Sequence, residues 1–129
     1  FVYAQLKKAY GHQIHYHIST YGNEIDFVKF DEELIIDTKY IPQWEDKTYH
    51  ENVRQLSGYA RSISLRRKVL NRDLDDTTII DCLVIYPNKK GCLQFNKDEN
   101  LISNNTLIDT YLKFHKLPIY LLYKNSYPK

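Results

Sequence analysis

In EIDFVKFDEELIIDTKY, residues 24–40, two carboxylates and an ammonium interrupt apolar segments. They are Asp26, Asp37 and Lys39. If the two segments are strands joined over the acidic turn, Asp37 and Lys39 share one face because strand side chains alternate. Asp26, on the preceding strand, then comes close to Asp37. Two carboxylates about 4 Å apart repel by ~4 kcal/mol at an effective dielectric near 20. Lys39 offsets part of this. A divalent cation offsets more, and hard oxygen donors suit Mg²⁺ or Mn²⁺. Such a group can bind a phosphoryl oxygen, activate a water and stabilise developing negative charge. The plain alternative is a salt-bridged cluster on a wet sheet face. Asp37 closes the apolar run Leu34–Ile36, so it falls at the carboxyl end of a buried strand, where ligands of α/β sheets tend to bind.

The elements around these residues follow from the periodicity. Val2, Leu6, Ala9 and Tyr10 form one stripe of a helix over residues 1–10, ended by Gly11. Residues 13–20 alternate and read as a strand. EIDFVKF is a second strand and ELIIDTKY a third, with Leu34, Ile35 and Ile36 continuous enough to be covered on both faces. Thr48 and Glu51 have capping-box spacing ahead of a long helix over about residues 49–70, with apolar positions Val53, Leu56, Ala60 and Ile63. Beside that stripe run Gln55, Tyr59, Ser62 and Arg66, facing the sheet edge. Arg54, Arg61 and Lys68 form a solvated basic side. IIDCLVIYP reads as a buried strand closed by Pro87, NKKG as a turn, and CLQF as its antiparallel partner. SNNT caps a last helix through Leu107, Ile108, Tyr111 and Leu112, and LPIYLLY is a final strand. The class is therefore α/β, a mixed sheet with helices packed on it.

With 129 residues, 43% hydrophobic and 26% charged, the chain suits one globular domain over residues 1–129. A net charge of +2 gives no global basic field, though a local basic face is allowed. Cys82 and Cys92 are too few for a disulfide framework and read as buried thiols of a cytoplasmic protein. No apolar run is long enough for a membrane helix. The chain contains no methionine and begins inside an amphipathic pattern, which is expected of a fragment of a longer protein. The 12 tyrosines read mainly as rim packing, with base stacking by one or two as the alternative. His15 and His17 share a strand face at a zinc-compatible spacing, but nothing completes a tetrahedral site, so they read as rim histidines. Trp44 reads as packing and His50 as part of a helix start. No phosphate loop, nucleophile elbow or dinucleotide fingerprint is present.

EIDFVKFDEELIIDTKY, followed by a helix carrying QLSGYA, resembles the PD-(D/E)XK nuclease superfamily in the branch with a downstream Gln-x-x-x-Tyr motif. That branch includes RecB-like exonucleases. The run LIIDTKY, a Q…YA helix and a strand ending IYP is most similar to the nuclease subunit of McrBC modification-dependent restriction systems. The resemblance covers roughly residues 1–87. It implies a restriction-endonuclease-like fold with an α-β-β-β-α-β core. Asp26 matches the first acidic motif, Asp37 the second, Lys39 the motif lysine, and Gln55 and Tyr59 the helix motif. Asp26, Asp37 and the Thr38 carbonyl are then the expected ligands of Mg²⁺ or Mn²⁺. DNA is the implied substrate, and an AAA+ GTPase subunit, McrB-like, the implied partner. Two departures stand out. Ile25 takes the place of the usual proline, and FVYAQLKKAY lacks the glutamate such nucleases often carry on their first helix. That glutamate is expected upstream, or Gln5 stands near its place. The same fold kept for binding DNA or a partner without hydrolysis is the non-enzymatic alternative.

Overall fold

The computed structural model describes residues 2–20, 23–39, 54–56, 58, 80–92, 94–103, 105–108 and 113–120. Helix α1 spans Val2–Tyr10 and buries Val2 and Leu6. It stops at Gly11, whose φ of 59° is a left-handed conformation a glycine adopts without strain. Strands β1 (Ile14–Thr20), β2 (Asn23–Lys29), β3 (Leu34–Thr38), β4 (Asp81–Cys92) and β5 (Phe114–Ile119) follow. They form one sheet in the order β1-β2-β3-β4-β5. The first two junctions are antiparallel and the last two parallel. The mixed α/β class expected from the sequence is what is observed.

Alternation divides the apolar residues between two faces. Phe27, Leu34, Ile36, Leu83 and Ile85 pack with Val2 and Leu6 of α1, with Leu101 joining from the segment after β4. On the other face Val28, Ile35, Cys82 and Val84 are equally buried. Residues 54–56 are helical and cover that face, with Cys82 Sγ 3.7 Å from the Leu56 carbonyl oxygen. Sequestration on both sides explains why β3 is apolar at three successive positions. Most of the long helix expected over residues 49–70, with Tyr59, Ser62, Arg61, Arg66 and Lys68, lies outside the described residues, as do Trp44 and His50.

Two expectations fail after β4. Pro87 does not end that strand, and Cys92 does not open an antiparallel partner. Pro87 and Cys92 both pair with Ile119 of β5, so the chain makes an excursion over residues 88–91 and returns to the same neighbour. Asn88 Oδ1 accepts the Lys90 N–H at 2.8 Å and shapes the excursion. Gly91 then comes so close to β5 that a Cβ would lie 2.5 Å from backbone atoms of Ile119. Among the described residues β5 is the last named strand of the sheet, where Pro118 is tolerated.

Nor do Leu107 and Ile108 begin a helix. Leu107 forms an isolated antiparallel bridge with His115. Ser103 N donates to Thr106 Oγ1 at 2.9 Å, and that hydroxyl donates back to the Ser103 carbonyl oxygen at 2.8 Å. Asn105 N also donates to Ser103 Oγ. Short polar side chains thus satisfy the backbone locally, in competition with a helix. Thr106 Oγ1 lies 2.9 Å from His115 Nδ1, which fixes the turn to β5.

At the opposite end of the sheet from Asp37, Lys29 is buried to 1% exposure. Its ammonium meets Asp31 Oδ1 at 2.8 Å and Glu32 Oε2 at 2.8 Å, and lies 4.4 Å from the centre of the Tyr10 ring. Glu32 also accepts the amides of Leu101 and Ile102. A charge this deep is tolerated only when fully paired. The cluster ties β2, the turn Phe30–Glu32, α1 and the segment after β4 together.

Candidate active site at the end of β3

The β2–β3 ladder pairs Phe27 with Ile36 and Val28 with Ile35. One further step sets Asp26 opposite Asp37, on the face shared with Val28 and Ile35. The register was invisible in either strand alone. It follows from the length of the turn Phe30–Glu32 and from Glu33, whose left-handed φ of 50° reverses the chain.

Thr38 fixes the first carboxylate. Its backbone N–H and its hydroxyl both donate to Asp26 Oδ2, each at 2.9 Å. Lys39 fixes the second, with Nζ 2.8 Å from Asp37 Oδ2. The Lys39 amide donates to the Ile85 carbonyl oxygen at 2.9 Å, so the β3–β4 ladder carries the lysine past the end of β3. Burial pushes the Asp37 carboxyl up from 3.8 to about 6. Lys39 pulls against this, and the hydrogen-bonded Asp26 carboxylate beside it raises it further. The structure therefore brings Asp26, Asp37, Thr38 and Lys39 together.

Gln55 lies in the helical residues that cover this same face, with its side chain exposed. Tyr59 lies outside the described residues. Gln5 lines a cleft of about 380 Å³ with Lys8, Ala9 and residues 94–97. It belongs to the α1 side of the sheet, whereas Asp26 and Asp37 point to the other. Among the described residues no group of three Asp, Glu, His or Cys side chains comes together.

Sequence reasoning missed the part played by Thr38 as a double donor to Asp26. A β-branched hydroxyl beside a motif acid was the available signal. It also missed His17. Both His15 and His17 are exposed, as expected, but His17 has a φ of 60° that breaks the alternation on which a shared face was based. His15 instead meets the Phe30 ring edge-on at 4.6 Å.

Comparison with known protein families, curated proteins and solved structures finds no match to this chain. The functional reading therefore stands on the residues and their geometry. Among the described residues no helix is long and apolar enough to cross a membrane.

Proposed function

We propose that this chain is a metal-dependent DNA nuclease domain with a restriction-endonuclease-like fold, of the kind found in the nuclease subunit of McrBC systems. One observation carries the reading: two opposed carboxylates, one desolvated and both orientated, converge with a lysine at the carboxyl end of a buried strand. The donor set fits a hard divalent cation. Asp37 is destabilised as an anion, and a neighbouring carboxylate adds to that; positive charge between them relieves both. Asp26, Asp37 and the Thr38 carbonyl would hold Mg²⁺ or Mn²⁺. When bound, the cation supplies Lewis acidity toward a phosphoryl oxygen and a lowered pKa for its water.

The chain's own groups do the rest. Thr38 holds Asp26 in one rotamer through two hydrogen bonds to the same oxygen. Lys39, anchored by Asp37, presents an ammonium toward the charge that develops as water adds to phosphorus and the P–O bond to the leaving oxygen breaks. Gln55 orients that water or Lys39, and the resemblance would give Tyr59 a phosphate contact or a bracing role. An AAA+ GTPase subunit would supply translocation and target choice, and the setting would be cytoplasmic defence against foreign DNA.

A second reading, the same fold used for binding without hydrolysis, is favoured by α1, which carries no acidic residue at all. A cleavage assay separates the two. Circular and linear DNA are incubated with Mg²⁺ or Mn²⁺ and the wild-type chain, Asp37→Ala or Lys39→Ala. The nuclease reading expects metal-dependent cutting that falls at least roughly a hundredfold in both variants. Attack on circles marks an endonuclease, and attack on ends alone a RecB-like exonuclease. Binding of DNA with no cutting by the wild type, alone or with its motor subunit, would establish the second reading.

A further inference from the structure

We propose that the exposed rings of Tyr3, Tyr16 and His17 form a platform on the α1 side of the sheet on which unpaired bases of a DNA strand stack. The choice of DNA rests on the nuclease reading; the stacking itself does not, since Asp26 and Asp37 point to the other side.

Among the described residues Tyr16 is 59% exposed and Tyr3 38%, the two most exposed large aromatic side chains. Their ring centres are 5.0 Å apart with planes 34° from parallel. Buried Phe27 lies beneath both, 5.8 Å from Tyr3 at 11° and 5.7 Å from Tyr16. Phe27 thus underlies both tyrosines.

His17 adds a third ring by an unusual route. Successive strand residues point to opposite faces, yet the His17 ring centre is only 5.6 Å from that of Tyr16. Its left-handed backbone, uncommon for a residue with a side chain, accompanies this placement. The β1–β2 ladder pairs Tyr16 with Phe27 and Ile18 with Ile25, and it omits the step between them. That step is His17 against Asp26. The backbone irregularity therefore sits across from a proposed metal ligand, and Tyr16 sits across from the next residue in the chain.

Charge selects the occupant. Residues 2–20, which build α1 and β1, contain no Asp or Glu. Lys7 and Lys8 lie in the last turn of α1, and Lys7 Nζ is 6.0 Å from the centre of the Tyr3 ring. Rings with a lysine beside one of them, on two elements that carry no carboxylate of their own, suit a polyanion with flat faces. A duplex hides its base faces in its own stack, whereas a single strand offers them.

The test is fluorescence anisotropy in EDTA, where cutting is suppressed, with a labelled mixed-sequence strand, the same strand as a duplex, and an abasic strand of equal length. The platform predicts that the single strand binds most tightly. Tyr16→Ala should weaken it roughly five- to a hundredfold, Tyr3→Ala similarly, and Tyr16→Trp should preserve it. Tyr16→Leu keeps apolar cover over Phe27 and should lose binding like the alanine variant, which separates stacking from stability. Equal binding of the abasic strand or the duplex, or no effect of Tyr16→Leu, overturns the platform and points to a surface for another protein. Loss of the platform with cutting intact leaves the nuclease reading standing. Strand binding by a chain that never cuts removes the nuclease reading alone.

Discussion

Asp37 is held where its own charge is opposed. Burial lifts its carboxyl to about 6, and Lys39 compensates only in part. The sign of the pH dependence follows. The folded carboxyl is harder to ionise than the unfolded one at 3.8, so it carries no deficit below that value. The deficit grows as pH rises toward about 6 and is complete above it. A raise of this size corresponds to roughly 3 kcal/mol. With the side chain only 16% exposed, solvent screens little of it. Asp37→Asn, measured by denaturation in EDTA, should be more stable than wild type by about 1–3 kcal/mol at pH 8. The advantage should vanish near pH 4. An advantage that does not change with pH would mean that the carboxylate is not strained as described. A residue kept despite such a cost is what a site built to receive positive charge requires.

Lys29 shows the opposite use of a buried charge among the elements. It serves no proposed chemistry, but it joins β2 to the turn Phe30–Glu32 and, through Glu32, to the amides of Leu101 and Ile102. Lys29→Met removes the cation and leaves Glu32 buried without it. The expected cost is roughly 3–5 kcal/mol in urea unfolding. Hydrogen exchange at Leu101 and Ile102 should quicken by more than the global loss explains. A change below about 1 kcal/mol would show that the cluster is solvated. The β2–β3 turn gives the site its register by the same logic: this clamp holds one end of the two strands, and the carboxylates occupy the other.

At the scale of the molecule, one sheet separates two apolar layers. Leu6 belongs to the α1 layer, and Leu56 packs with its backbone against Cys82 on the other. Both are buried to 2% exposure or less. Because β3 contributes to both faces, the layers should melt as one. Leu6→Ala and Leu56→Ala are each expected to cost about 2–5 kcal/mol within a single transition. Calorimetry that resolves two transitions in either variant would show that the layers fold separately. Only the Leu56 variant is expected to disturb the helical cover on the sheet face that carries the carboxylates.

The sequence by itself determined α1, the first three strands and the mixed class, because stripes and alternation are properties of local geometry. It also set Lys39 two residues beyond Asp37, and the two side chains do meet at 2.8 Å. Tertiary structure decided the rest. Asp26 meets Asp37 through a register set by a reversal at Glu33, and Thr38 becomes its anchor only once β2 and β3 are side by side. Pro87 reads as a stop, yet β5 offers a partner on both sides of the excursion it begins. Thr106 belongs to a turn whose hydroxyl meets the ring of His115, nine residues later. His17 reads as a rim residue, but irregular backbone turns its ring toward Tyr16, and Lys29, which no pattern singled out, is buried beneath Tyr10. The pairings with β5 and with His115 share one cause: a contact distant in sequence outweighs local propensity, and no window of neighbouring residues contains it.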